Sequence, residues 1–287
     1  MTADLSGRRV LITGAARGIG AATAMRLHER GARLVLAGIE PDELSRTAAR
    51  CGDALAVMCD VRDREQVEAA VEAASEHLNG LDVVVANAGV AAQLPLVGGN
   101  PEVFERTIEV NLLGVYYTLR AAGPYIAHDR GYALAIASLA AAVHIPLLGA
   151  YSASKAGVEA LANTLRIELA PSGARVGVGY FAELDTDMVR QGFGTVAAKR
   201  ASEIRRPMTR VSPLEVGIDA IERGIARRSR RVVAPRWVAP LLPVRMLAQR
   251  VIDLATQSSV EEVLDIARAE NAPLTTVQPD AATRTRS

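Results

Sequence analysis

The sequence predicts an α/β protein: a doubly wound parallel sheet of about seven strands flanked by helices, with a helical extension at its C-terminal end. Three observations predict it. Short apolar runs alternate with longer helical patterns from residue 8 to residue 235. The runs lack the polar alternate positions of a half-solvated sheet, so they read as strands covered on both faces. Between consecutive runs lies a helix-length segment, the connection that parallel neighbours require.

The first strand is RRVLIT (8–13), followed by a helix, GIGAATAMRLHERG (18–31), closed by Gly31. RLVLA (33–37) leads to a helix over 41–52 with proline at its start and glycine at its end, the expected asymmetry of helix termini. ALAVMCD (54–60) precedes an amphipathic helix over 63–80, and LDVVVANAG (81–89) precedes one long helix over 101–126. GYALAIAS (131–138) leads to a helix over 149–173, ARVGVGYF (174–181) is the sixth strand, and a helix over 213–228 precedes the last strand, 230–235.

Composition narrows the function. The chain has 287 residues, 49% of them hydrophobic, and a net charge of +1, which gives no global attraction to nucleic acid. Two cysteines, Cys51 and Cys59, make no disulfide framework. Four histidines without clustered ligands predict no metal. The N-terminus lacks a signal-peptide pattern and no apolar run reaches about 18 residues, so no membrane span and a cytoplasmic location are expected.

In a doubly wound sheet, ligands bind at the carboxyl ends of the strands. After strand one stands TGAARGIG, with Gly14, Arg17, Gly18, Ile19 and Gly20. Its glycines admit a diphosphate, and the following helix offers N–H groups and a positive dipole end. The spacing is not Gly-x-Gly-x-x-Gly, and a glycine-rich turn is the plainer alternative. Asp60 and Val61 follow strand three; Asn87, Ala88 and Gly89 follow strand four. After strand five comes Ser138, with Tyr151 and Lys155 four apart on one helical face. An ammonium beside a phenol favours phenolate, and such a tyrosine can exchange a proton.

Taken together, TGAARGIG, NAG, Asn111 in VNLLG, Ser138 and YSASK resemble the short-chain dehydrogenase/reductase family in order and spacing, over about residues 5 to 235. The resemblance implies a Rossmann-type fold and an NAD- or NADP-dependent oxidoreductase acting on a ketone or secondary alcohol. It implies Tyr151 as general acid/base, Lys155 on the nicotinamide ribose, Ser138 on the substrate oxygen and Asn111 on a water that relays protons. It assigns Gly14, Arg17, Gly18, Ile19, Gly20, Gly38, Ile39, Asp60, Val61, Asn87, Ala88, Gly89 and Thr186 to the cofactor. A nucleotide-binding sensor without turnover, or a dehalogenase on the same scaffold, are the competing readings.

Two departures stand out. FAELDT (181–186) replaces the family's Pro-Gly-x-x-x-Thr, which bears on Thr186 and sets Phe181 in the pocket wall. Gly38 takes the place of the acid that grips NAD, with Glu40 two residues on. Arg17 suits a 2′-phosphate, so the cofactor reading leans slightly to NADP.

The domain boundaries expected are 1–235 for the dinucleotide domain with a substrate lid at about 188–210, 236–275 for the extension, and 276–287 for a polar tail read as disordered. His144, Phe181 and Met188 are expected at the substrate pocket. From Val189 to Arg250 there are 14 Lys or Arg against 4 Asp or Glu, which leaves the rest of the chain net acidic. A basic lid suits an anionic substrate; the apolar flanks of the site suit a lipid-like one. The stripe in RWVAPLLPVRMLAQRVIDLATQ either covers the site, joins a subunit interface or lies on a membrane surface; packing on its own fold is the expectation. Apolar faces on the helices over 101–127 and 149–171 suit a homodimer or homotetramer.

Overall fold

The computed structural model describes residues 5–52, 54–192, 195–204, 211–257, 260–270 and 272–275. Parts of the expected lid (193–194 and 205–210) and the whole tail (276–287) lie outside them. The strands are β1 (Arg9–Thr13), β2 (Arg33–Gly38), β3 (Leu55–Met58), β4 (Val83–Ala86), β5 (Tyr132–Ile136), β6 (Arg175–Phe181) and β7 (Arg231–Ala234). They form one parallel sheet in the order β3-β2-β1-β4-β5-β6-β7.

Alternate side chains of each strand serve opposite faces. Leu11 of β1 joins one core layer with Val71, Leu119 and Val158, which come from α3 (Arg64–Leu78), α5 (Gly114–Ile126) and α6 (Gly149–Glu168). Val10 and Ile12 join the other layer with Leu27, Leu44 and Ile221, from α1 (Gly18–Glu29), α2 (Pro41–Arg50) and α9 (Leu214–Arg227). Only the edge strand β3 alternates half-buried and exposed positions. At the N-terminal edge of β4, burial would raise the Asp82 carboxyl, but Arg9 hydrogen-bonds it and holds it below its usual value.

Local chemistry sets the helix ends. Asp63 caps α3 by accepting the N–H groups of Glu65 and Gln66 at 2.9 and 3.2 Å. Asn79 then takes a left-handed conformation (φ 59°) after its last turn. The expected single helix over 101–126 is broken. α4 (Pro101–Ile108) passes into a π-helical turn, Glu109–Leu113, before α5 begins. The apolar periodicity runs on unchanged through this bulge, so nothing in the pattern reports it. π-bulges concentrate at functional sites, and this one carries Asn111.

Beyond β6 lie α7 (Asp187–Gly192) and α8 (Val196–Ile204) in the lid region. Beyond β7 a 3-10 turn (Arg236–Leu241) leads to α10 (Arg245–Thr256) and α11 (Val260–Glu270). The extension packs on its own fold, as expected. Gln249 of α10 accepts the His144 N–H at 2.7 Å and donates to the His144 carbonyl at 3.0 Å. Glu270 of α11 accepts the Val196 and Ala197 N–H groups, capping α8, and Glu262 grips Arg200 in a two-pronged ion pair at 3.0 Å. Thr275 then bonds Ala91 through both backbone and hydroxyl.

Candidate active site

The sheet order reverses direction at β1, whose neighbours are β2 and β4. The crevice outside their carboxyl ends is the topological switch point, where doubly wound sheets bind ligands. A cavity of about 730 Å³ opens there.

Its floor is the glycine turn. Gly14 has φ +65°, and a Cβ on it would stand 2.6 Å from the Ala88 Cα. A Cβ on Gly20 would stand 2.2 Å from the Gly14 carbonyl oxygen. Only glycine fits either place. Asn87 binds this turn to the end of β4: its Nδ2 donates to the Thr13 and Gly14 carbonyls at 3.0 and 3.1 Å. Its backbone N–H donates to the Thr13 hydroxyl at 3.1 Å. The N-terminus of α1, which has no side-chain cap, faces the same turn. Gly14, Arg17, Gly18 and Ile19 line the cavity; Gly20 lies beneath it and sets the packing.

At the far end Gly38, Ile39, Glu40, Asp60 and Val61 line the wall with Cys59. Burial pushes the Cys59 thiol up to about 12, so it stays neutral. Asp60 is held by Arg62, whose Nε sits 2.9 Å from both carboxylate oxygens. Arg17 and Glu40, far apart in sequence, form an ion pair, with Nε 2.9 Å from Oε2 and a second, shorter contact. The residue expected to suit a 2′-phosphate and the acid expected to reach a ribose are thus engaged with each other.

Ser138, Tyr151 and Lys155 meet at the carboxyl end of β5. The Ser138 hydroxyl accepts the Ala140 N–H at 3.1 Å and donates to the Phe181 carbonyl at 3.3 Å. Ser138 pulls the Tyr151 phenol downward. Lys155 Nζ donates to the Ile136 carbonyl at 2.9 Å and lies 5.6 Å from the centre of the Tyr151 ring. Lys155 is 3% exposed, and burial lowers its pKa to about 8. Burial likewise raises the Tyr151 phenol, against the opposite pull of Ser138. Desolvation outweighs the pull of Ser138, so the phenol stands above its usual value, and the depression expected from Lys155 is not seen.

Asn111 is wholly buried below the cavity. Its Oδ1 accepts the Val90 N–H at 2.8 Å, and its Nδ2 donates to the Val90 carbonyl at 2.9 Å and to Ser154 Oγ at 3.1 Å. Gly89 lies between the two: a Cβ there would sit 3.3 Å from Asn111 Oδ1 and 3.4 Å from Lys155 Nζ. Asn87, Ala88, Gly89, Thr186, Phe181 and Met188 all line the cavity. Thr186 also accepts the Val189 N–H at 3.3 Å, so its hydroxyl is engaged by the turn that follows the FAELDT loop. His144 departs from expectation: it is exposed, does not line the cavity, and places Nδ1 3.2 Å from the Ala140 carbonyl. Conversely Trp237, Leu247, Val251 and Thr275 line the cavity without having been singled out. The apolar stripe around α10 was the only signal for the first three, and Thr275 had none.

The short chain dehydrogenase family model matches residues 8–195. The chain belongs to that family. It is an oxidoreductase acting on CH–OH groups, and the family uses NAD or NADP. Among similar proteins, this dehydrogenase is 35% identical to the (−)-trans-carveol dehydrogenase of Rhodococcus erythropolis, over 66% of this chain and 75% of that protein. It is 33% identical to the 3beta-hydroxysteroid dehydrogenase 1 of Eggerthella lenta, over 71% of this chain and 81% of that one. It also matches the glycine betaine reductase ATRR of Emericella nidulans, at 37% over 69% of this chain, but spans only 16% of that protein. The crystal structure of levodione reductase superimposes with a TM-score of 0.72 at 27% identity, covering 79% of this chain and 95% of that one. Among the described residues no helix is long and apolar enough to cross a membrane, and no cluster of potential metal ligands occurs.

Proposed function

We propose that this dehydrogenase interconverts a secondary alcohol and a ketone with NAD as its cofactor, and that Tyr151 is the general acid and base. The observation that carries this reading is the meeting of Ser138, Tyr151 and Lys155 in the cavity floored by Gly14 and Gly20. The missing Cβ atoms and the uncapped N-terminus of α1 fit a dinucleotide diphosphate. Gly14, Gly18, Ile19, Asn87, Ala88, Gly89 and Thr186 would hold it along its length, with Gly38, Ile39, Asp60 and Val61 around the adenosine.

A nicotinamide held there would supply the hydride chemistry, giving a hydride to the carbonyl carbon in reduction and taking one in oxidation. In reduction Ser138 donates a hydrogen bond to the substrate oxygen and Tyr151 gives that oxygen its proton. In oxidation the phenolate takes the proton back. Lys155 holds the nicotinamide ribose and keeps a positive charge beside the phenol, which favours proton release in a site with little water. The Asn111 side chain is committed to Val90 and Ser154, so the backbone of the π-helical turn is left to anchor the water that relays protons from Lys155.

The Arg17–Glu40 pair supports the reading of NAD as the cofactor. A carboxylate beside Gly38 accepts the hydroxyl groups of a ribose, and it opposes a 2′-phosphate unless Arg17 releases it. Glu40→Ala is expected to shift the ratio of NADH to NADPH affinity toward NADPH by about tenfold, the weight of one charge-assisted hydrogen bond. Calorimetric titration of both variants with both cofactors measures it; an unchanged ratio contradicts the assignment. The reaction itself is tested by following NADH formation with a panel of cyclic secondary alcohols. No formation with any of them, despite NADH binding, would favour a nucleotide sensor. Exposed Leu113 and Tyr116 at the head of α5 and Ile167 at the end of α6 support a homodimer or homotetramer through these helices.

A further inference from the structure

We infer that α10 is the specificity wall of the substrate pocket and that it selects uncharged, apolar alcohols and ketones. This rests on the oxidoreductase reading above and adds the class of substrate. The family match ends at residue 195, so α10 lies outside it. Yet Val244, Leu247, Ala248, Val251 and Ile252 line the same cavity as Tyr151. Ile252 is buried and anchors the helix. Gln249 fixes it by its paired bonds to His144, in the loop between Ser138 and Tyr151. The wall is therefore tied to the catalytic loop and positioned by it.

The exposure pattern says what the wall is for. Leu247 and Val251 are 65% and 55% exposed although they face the cavity. Apolar surface left open next to a reactive centre is surface for a ligand to cover. The two arginines of α10 do not line the cavity, and Arg245 is turned away to Glu159, at 3.1 Å from its carboxylate. Among the described lining residues the only cationic side chains are Arg17, already paired with Glu40, and Lys155, buried and donating to the Ile136 carbonyl. Glu183 and Asp187 line the lid side, and Asp187 is paired with Arg190 at 2.7 Å, with Arg190 itself outside the lining. The basic character of the region from Val189 to Arg250 thus does not reach the described pocket wall, and an anionic substrate finds no partner there.

The test is a series of secondary alcohols of increasing apolar length, with one carboxylated member. In the wild-type enzyme kcat/KM is expected to rise about fourfold per added methylene until the wall is covered, and the carboxylated member to be the poorest. Leu247→Asp and Val251→Asp, both at exposed positions that tolerate a charge, are expected to flatten that slope through KM. Wild-type preference for the carboxylated alcohol, or slopes unchanged in both variants, would overturn the inference. Calorimetry of the same alcohols on the enzyme–NADH complex separates the two readings. Length-dependent binding that the Asp variants abolish, without turnover, upholds the wall and overturns the oxidoreductase reading. Turnover with binding indifferent to both variants does the reverse.

Discussion

Replacing Tyr151 by Phe is expected to cut turnover about 10³-fold while NADH affinity stays within a few-fold. A positioned proton donor contributes about 10² to 10⁴, and Ser138 and Lys155 still orient the substrate and cofactor without it. The change removes one hydroxyl beside Ser138, a loss of at most ~1 kcal/mol in stability. The pH dependence follows in sign. Alcohol oxidation needs the phenolate, so its rate climbs as pH rises. Burial raises the phenol of the free enzyme, which moves that climb to higher pH. The residual activity of Tyr151→Phe should lack it. A pH profile of kcat/KM for both proteins checks this, and a variant that keeps its turnover refutes the role.

Lys155→Met is expected to abolish turnover and yet to stabilise the cofactor-free protein. The ammonium is buried beneath the site with its pKa lowered to about 8, against an ordinary 10.5. The unfolded chain therefore holds this proton more tightly than the folded one, and the cost of burying the charge is present in full below about pH 8. It fades as pH rises toward 10.5. By linkage that cost is about 3 kcal/mol at pH 7. Losing the bond from Nζ to the Ile136 carbonyl gives back ~1 kcal/mol. A net gain of about 2 kcal/mol is expected at pH 7, shrinking toward zero and below by pH 10.5. Urea denaturation of both proteins at pH 7 and pH 9.5 measures it. A variant that is less stable at pH 7 would mean that Lys155 is structural. The expected outcome would mean that the fold carries a strained charge for the sake of its chemistry.

The parallel strands were legible because strands buried on both faces are unbroken apolar runs. The expected 8–13, 33–37 and 230–235 meet the observed Arg9–Thr13, Arg33–Gly38 and Arg231–Ala234 within a residue at each end. The runs read at 54–60 and 81–89 are longer than β3 and β4 because their last residues, from Cys59 and Asn87 onward, already belong to the site. The glycine turn and the Ser138–Tyr151–Lys155 set were legible through fixed order and spacing. What escaped depends on contacts distant in sequence. The break at Glu109–Leu113 leaves no mark on periodicity. Arg17 and Glu40 look like rival determinants of the cofactor until the fold joins them. The wall around Leu247 and Val251 is an ordinary amphipathic stripe until α10 is laid against the cavity, and His144 lies in the right loop but turns to the outside.

The central claim is that a nicotinamide dinucleotide fills the cavity that α10 closes. Trp237 is the chain's single tryptophan, and it lines that cavity. The most direct measurement is a titration with NADH while exciting Trp237. Saturable quenching of its emission, with matching sensitised emission from the bound dihydronicotinamide, is the result predicted, and Gly20→Val should remove both. Saturable NADH binding by calorimetry without any energy transfer from Trp237, or no binding at all, would contradict the account.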